Sequence, residues 1–284
     1  MNELTLRTPA KINLCLSVLG KRPDGYHDVE MLMQAVGLYD EVTVALTGEG
    51  LTVQCDDSAI PSGEGNIAYK AAARMLALAG RVVGVLIKIK KRIPVAAGLG
   101  GGSSDAAAVI AACDRLLETG LDTRGMAEVG AALGMDVPFF FYGPTALARG
   151  RGEILEKTTP MDPFWVLLAN PGFETSTAWV YKNVNLGLTK KVDCNKIARL
   201  KIGRMALSLH NDLETVTKAV HPVIGDIEKA LLAHGALGAM MSGSGPTVFG
   251  IFESEEACWG AARSLTSTGW RLYPVQTLAG PLFA

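Results

Sequence analysis

An excess of charge of either sign is the first thing this 284-residue chain lacks: 27 Lys and Arg stand against 28 Asp and Glu, a net charge of -1. Neither nucleic acid nor an anionic membrane surface therefore has a general electrostatic reason to bind it, and any anionic ligand must be held locally. Aromatic residues are few at 6% and charged residues make up 19%, while hydrophobic residues reach 49%. That balance excludes disordered, coiled-coil and collagen-like chains and leaves a folded protein. A long lipid-facing run is also missing. The longest stretch without Asp, Glu, Lys or Arg, Ala230 to Phe252, contains five glycines and Pro246, the composition of turns rather than of a membrane helix. The opening MNELTLRTPAKINL has no basic segment followed by an apolar core, so nothing signals export and a cytoplasmic protein is expected. Cysteine is sparse and scattered, at Cys15, Cys55, Cys113, Cys194 and Cys258, with no C-x-x-C spacing. Five reduced thiols are expected, with neither a disulfide nor a zinc site. Internal repeats and low-complexity segments are absent as well.

The length suits two domains, each able to bury a core. Ile12, Leu14, Leu16 and Val18 alternate with Lys11, Asn13, Cys15 and Ser17, which predicts a strand with one apolar and one polar face. A Pro23-Asp24-Gly25 turn follows, then a second strand near Val42 to Leu46. Asn66 can cap a helix that ends at Gly80, and Val85, Ile87 and Ile89 mark another strand. A short helix from about Arg124 to Leu133 stops at Gly134, just before Asp136. The Gly, Arg and Glu mixture of Ala146 to Pro160, followed by Pro163, predicts a domain boundary that divides the chain into 1–158 and 159–284. Beyond it the pattern gives strands at Phe164–Ala169, Thr247–Phe252 and Leu272–Thr277. Helices are expected near Arg204–Val220, from Pro222 to Gly235 and from Ser254. The fold class is α+β.

Two loops carry chemistry. Pro94-Val95-Ala96-Ala97-Gly98-Leu99-Gly100-Gly101-Gly102-Ser103-Ser104 lies between a strand and a helix in which Ala106, Val109, Ile110, Cys113, Leu116 and Leu117 recur at helical spacing. One of the serines or Asp105 is the expected helix cap. Strand, glycine loop and helix together point backbone N–H groups and the positive helix end at an anion, so the loop reads as a phosphate cradle. It has neither the Gly-Lys-Ser/Thr ending of a Walker loop nor the G-x-G-x-x-G spacing of a dinucleotide fold. The second loop, Met241-Ser242-Gly243-Ser244-Gly245-Pro246-Thr247, has a linker's composition but stands before a buried strand.

Pro94 to Ala108 resembles the central phosphate-binding motif of the GHMP kinases, and Met241 to Phe249 resembles their C-terminal glycine motif. With Pro9-Ala10-Lys11-Ile12-Asn13-Leu14, all three signatures stand in order across the full length. The resemblance implies a two-domain fold: an N-terminal mixed α/β domain carrying the phosphate loop and a C-terminal ferredoxin-like α+β domain. Arg22-Pro23-Asp24-Gly25-Tyr26-His27 and Gly134-Met135-Asp136-Val137-Pro138-Phe139-Phe140 resemble one branch of the family. Members of that branch use ATP to phosphorylate the 2-hydroxyl of a methylerythritol carried on cytidine diphosphate, in isoprenoid synthesis. A homoserine- or mevalonate-type kinase, or a nucleotide-binding regulator without catalysis, is the alternative. The Tyr26-His27 turn tells against the first two, and the retention of both Lys11 and Asp136 against the third.

Carried over residue by residue, the resemblance puts ATP on Pro94 to Ser104, with Asn66 and Lys91 near the adenine. Lys11 and Asp136 become the catalytic pair, Asp136 as the base and Lys11 holding it ionised. Tyr26 would stack on cytosine and His27 would read its edge, while Asn13 would touch the alcohol. Thr177 and Tyr181 would line the acceptor side, with Trp179 the alternative second ring. Mg²⁺ is implied with ATP, and Ser103 or Ser104 is its candidate protein ligand. Ala97 and Met135 stand where many relatives have glycine and alanine, and His210, His221 and His234 are left without a role. No nucleic acid or membrane partner is expected, and the chain is expected to be a monomer or a weak homodimer.

Overall fold

The computed structural model describes residues 2–158 and 161–283. The expected boundary between 158 and 159 touches positions outside the described residues. Among the described residues the chain builds two sheets. Strands β1 (Glu3–Lys21) and β2 (His27–Thr47) form a long antiparallel hairpin around the Arg22–Tyr26 turn. Strands β3 (Leu51–Cys55) and β4 (Gly84–Lys90) extend the sheet beyond β2, while β5 (Thr145–Arg149) and β6 (Ile154–Lys157) continue it from the other end of β2. The second strand is thus far longer than Val42–Leu46. Its middle, Met31 to Leu38, is a near-continuous buried run that carries no alternation to read.

Helices α1 (Ile67–Ala79) and α2 (Gly101–Leu117) pack on this sheet, small residue against small residue, Ala68, Ala71 and Ala72 with Ala106 to Ala108, Ala111 and Ala112. Asn66 caps α1 by accepting from the Ala68 amide at 2.8 Å, and Gly80 ends it in the left-handed region, as expected. The start of α2 differs from expectation. Its cap is Gly100 at φ +71, so Ser103, Ser104 and Asp105 lie inside the helix. Short helices α3 (Thr123–Ala131) and α4 (Phe139–Tyr142) flank the Asp136 segment.

The second sheet holds β7 (Trp165–Asn170), β9 (Gly238–Met241), β10 (Val248–Phe252) and β11 (Arg271–Gln276) in the order β11-β7-β10-β9, all antiparallel, the ferredoxin-like arrangement expected. Helices α9 (Val223–Ala233) and α10 (Glu255–Ser264) pack on it. Between β7 and α9 the chain forms α5 (Thr177–Lys182), α6 (Cys194–Ile197), α7 (Ile202–Ala206), the two-residue strand β8 (His210–Asn211) and α8 (Glu214–Val220). The single helix expected from Arg204 to Val220 is broken because His210 and Asn211 join the first sheet beside Cys15 and Leu16. The two sheets share a core in which Ile12, Leu14 and Leu32 meet Phe164, Val166, Leu168, Phe249 and Ile251.

Two expectations for β1 are corrected. Its alternation does not run through: Asn13 pairs with Met33 and Cys15 with Leu32, so a β-bulge inserts Leu14. Ile12, Leu14 and Cys15 then enter the core between the sheets, and Leu16 and Val18 enter the other cluster with Met31 and Met33. The reduced-thiol expectation also fails at one pair. Cys15 and Cys194 are joined as a disulfide with their Cα atoms 5.5 Å apart, because the bulge turns Cys15 toward the α6 segment. Cys55, Cys113 and Cys258 remain thiols. No helix among the described residues is long and apolar enough to cross a membrane.

Candidate active site

A cleft of about 1200 Å³ runs between the two halves of the molecule. Lys11 and Asp136, the pair expected to be catalytic, both line it. Lys11 is 4% exposed on β1, and its ammonium stands 3.3 Å from Asp136 Oδ2 and donates to Asn13 Oδ1 at 2.7 Å. Asp136 sits in the turn between α3 and α4, where Gly130 and Gly134 allow Val137 to pack close. The buried ammonium fixes the direction of the partly exposed carboxylate.

On one side of this pair lies the glycine loop. Four of its successive carbonyls are turned out of the cleft by other partners. Ala96 O accepts from the Thr175 amide, Ala97 O from the Thr247 amide, Gly98 O from the Ser242 hydroxyl and Leu99 O from the Lys11 amide. With its carbonyls engaged elsewhere and α2 beginning at Gly101, the loop presents N–H groups and a positive helix end to the cleft. Glycine is required at position 98: φ is +78 and a Cβ would lie 2.1 Å from the Ser242 carbonyl oxygen.

Pro94, Val95, Ala96, Ala97, Gly98, Gly100, Gly101, Gly102 and Ser103 line the cleft, whereas Leu99 and Ser104 do not. Leu99 is fully buried, and the Ser104 hydroxyl is held inside by Thr8 and by the Pro9 carbonyl. Of the two serines considered as metal ligands, only Ser103 faces the cleft. Beyond the loop, Asn66 lines the cleft while its amide group is used by Ala68 and Pro61. Lys91 also lines it, but its ammonium is held between Asp40 and Asp105, 2.8 Å from the latter. Burial, with the charge of Asp40 added and that of Lys91 opposing, pushes the Asp105 carboxyl up to about 7. Asp105 Oδ1 has no hydrogen-bond partner.

On the other side lies an aromatic slot. Tyr26 is 51% exposed at the tip of the β1–β2 turn, whose shape is set by Asp24 accepting from the Tyr26 amide. The His27 and Tyr181 rings are stacked with centroids 5.5 Å apart. Burial, with the charge of Lys21 added, lowers the His27 pKa, which keeps the ring neutral at pH 7. Burial and then the Asp136 charge raise that of Tyr181, which keeps the phenol protonated. Thr177 lines the same wall, its hydroxyl 2.8 Å from that of Ser244. Trp179 is 42% exposed and does not line the cleft, so Tyr181 is the ring the fold places there. Sequence reasoning missed Arg151, whose guanidinium lies 5.1 Å over the Tyr26 ring. It stands in a Gly-Arg-Gly run read there as a domain junction, and only the pairing of β5 with β2 brings it to the turn. His210 pairs with Asp212 at 3.0 Å and His221 packs on Phe173, both away from the cleft.

Fold and cleft together define a small-molecule phosphotransferase of the GHMP kinase class. The family described as GHMP kinases N terminal domain matches residues 66–144, and GHMP kinases C terminal matches 195–265. The chain is 51% identical to a 4-diphosphocytidyl-2-C-methyl-D-erythritol kinase of Pelobacter propionicus, over 98% of this chain and 100% of that one. It is 49% identical to the enzyme of that name from Geobacter metallireducens, with the same coverage. A crystal structure of 4-(cytidine 5'-diphospho)-2C-methyl-D-erythritol kinase superposes with a TM-score of 0.84 at 34% identity, covering 98% of this chain and 100% of that one. Homoserine kinase from Cytophaga hutchinsonii, at 21% identity and a TM-score of 0.75 with 99% and 96% covered, shares the fold. The chain belongs to the 4-diphosphocytidyl-2-C-methyl-D-erythritol kinase family.

Proposed function

We propose that this enzyme transfers the γ-phosphoryl group of ATP to the 2-hydroxyl of 4-diphosphocytidyl-2-C-methyl-D-erythritol, a step in non-mevalonate isoprenoid synthesis. The observation that carries the reading is the order of parts along one cleft. An N–H-lined loop at one end and an aromatic slot with a neutral histidine at the other flank the Lys11–Asp136 pair. Phosphoryl transfer needs positioning and charge stabilisation more than covalent catalysis, and these parts supply both.

The loop from Gly98 to Ser103 holds the donor phosphates through backbone N–H groups. Tyr26 and Tyr181 enclose the cytosine, and His27 reads its edge. Asn13, already bonded to Lys11, touches the alcohol. Asp136 accepts the proton of the attacking hydroxyl, and Lys11 offsets charge on the phosphoryl oxygens. Asn66 and Lys91 shape the adenine end through their packing, since their polar ends are already bonded within the protein.

Mg²⁺ is the proposed ion. When bound it neutralises charge on the β- and γ-phosphates. Ser103 at the cleft and the unpartnered Asp105 oxygen below the loop fit an ion held mainly by phosphate oxygens and water. Among the described residues no cluster of three His, Cys, Asp or Glu offers a cage. We further propose domains at 1–158 and 159–284, a cytoplasmic location and a monomer or weak homodimer.

A coupled assay of ATP turnover with the cytidylylated methylerythritol, homoserine and mevalonate side by side tests the reading. Turnover with the first alone is expected. Turnover with either of the others, and none with the first, overturns it.

A further inference from the structure

Ser242 belongs to a linker-like run, yet it is fully buried and makes two hydrogen bonds that join separate parts of the site. Its hydroxyl accepts from the Asn13 amide at 3.3 Å and donates to the Gly98 carbonyl at 3.0 Å. Its own backbone is fixed on both sides, the amide donating to Thr247 O and the carbonyl accepting from the Gly245 amide, each at 2.9 Å. The turn is held in place from behind by Asn211, whose Nδ2 donates to Met241 O and Gly243 O at 2.8 Å. Ser242 does not line the cleft, so its side chain touches neither reactant.

We propose that Ser242 is a positioning residue for the transfer step, fixing the distance between the strand that carries Lys11 and the loop that receives the donor phosphates. Phosphoryl transfer depends on near-attack distances of roughly 3 to 3.5 Å, and a misplacement of about 1 Å costs on the order of a hundredfold in rate. Ser242 is well placed to impose such a distance. One hydroxyl, buried and fully used, bonds the strand two residues from Lys11 and the loop two residues before Gly100. It does so from the second half of the chain, so Ser242 serves the first half's catalytic geometry without itself lining the cleft, while its neighbours Gly243 and Ser244 do line it. Removing the hydroxyl leaves the Asn13 N–H and one bond of Gly98 O unmet in a dry environment and frees the loop to shift against the strand.

The inference rests on the phosphotransfer reading, and its test has an arm that does not use turnover. In Ser242→Ala, kcat is expected to fall at least tenfold while the Kd for the cytidylylated alcohol, by titration calorimetry, stays within twofold. Hydrogen exchange of the unliganded protein is expected to speed up in peptides covering 96–104 and to stay unchanged in β2 and β10. Ser242→Thr, which keeps the hydroxyl, should recover most of the kcat. Ser242→Cys, a poor donor, should fall between and carries the test if the alanine variant does not fold. The proposal is overturned by a kcat within twofold of wild type in a folded alanine or cysteine variant, or by exchange that speeds up evenly across the chain. Absence of turnover in the wild type would instead remove the phosphotransfer reading, leaving the exchange result to be judged alone.

Discussion

The Lys11 ammonium lies 3.3 Å from Asp136 Oδ2 and 2.7 Å from Asn13 Oδ1, so one cation holds together the proposed base and the residue proposed to meet the alcohol. Asp136→Asn keeps the shape of the pair but cannot take a proton. Turnover is expected to fall by at least a hundredfold, roughly the weight general-base catalysis carries, with ATP and acceptor affinities within a few fold. Rapid-quench kinetics alongside calorimetric titration checks this, and an active Asn variant would remove Asp136 from the mechanism.

At the aromatic end two substitutions should differ in kind. His27→Ala is expected to weaken the cytidylylated substrate by about 1 to 3 kcal/mol and to erase discrimination against the uridine form, since a base-edge hydrogen bond is lost. Tyr26→Ala should cost about 1 to 3 kcal/mol without changing which base is preferred, because stacking tolerates any ring. Titration of both variants with the cytidine and uridine forms separates the effects. Equal weakening of ATP in either variant would make the turn architecture only.

The Asp105 carboxyl predicts a pH signature in stability. Its pKa is about 7 in the folded protein against about 3.9 in an unfolded chain. The folded state therefore binds the proton more tightly, and the associated stability is present at low pH and lost as pH rises through 7. Asp105→Asn is neutral throughout. Melting temperatures at pH 5, 6, 7 and 8 should show the variant gaining on the wild type as pH rises, with Lys91 left to Asp40. Parallel curves would show that Lys91 already keeps Asp105 ionised.

The Cys15–Cys194 link is open to direct counting. Of five cysteines in the sequence, three are thiols in the structure. Denaturation without reductant should therefore expose three groups to a thiol reagent, and five after reduction. Closing a loop across 179 residues stabilises by at most about 5 kcal/mol in the chain-entropy view. Cys15→Ser should lower the melting temperature of unreduced protein and leave reduced protein nearly unchanged. Five reactive groups without reductant would show that the link does not form.

Local signals carried much of this fold into the sequence. Asn66, Gly80, Pro222 and Ser254 mark helix ends because capping is a one- or two-residue affair, and the strands at Val85–Ile89 and Val248–Phe252 are bounded by charge or glycine. What stayed hidden is non-local. The bulge at Leu14 depends on how β1 registers against β2, and it alone decides that Cys15 turns away from Lys11 and Asn13. The break at His210–Asn211 depends on an open edge of the first sheet. In the cleft, loop residues were found by motif, but nothing in the chain says that Leu99 and Ser104 turn inward. Nor does it say that the Lys91 ammonium is consumed by two acids.

The two ends of the cleft differ in how they are made. The proposed donor end is backbone locked against backbone, where a single Cβ at Gly98 would collide with Ser242. The proposed acceptor end rests on the exposed Arg22–Tyr26 turn and on the six-residue helix α5, which is anchored by the buried Val180. The two ends are tied where the Thr177 hydroxyl meets that of Ser244, in the turn that carries Ser242. Redesign of Arg22 to His27 and of α5 is therefore expected to change the acceptor only where Thr177 is kept, so that the contact between Gly98 and Ser242 stays in place.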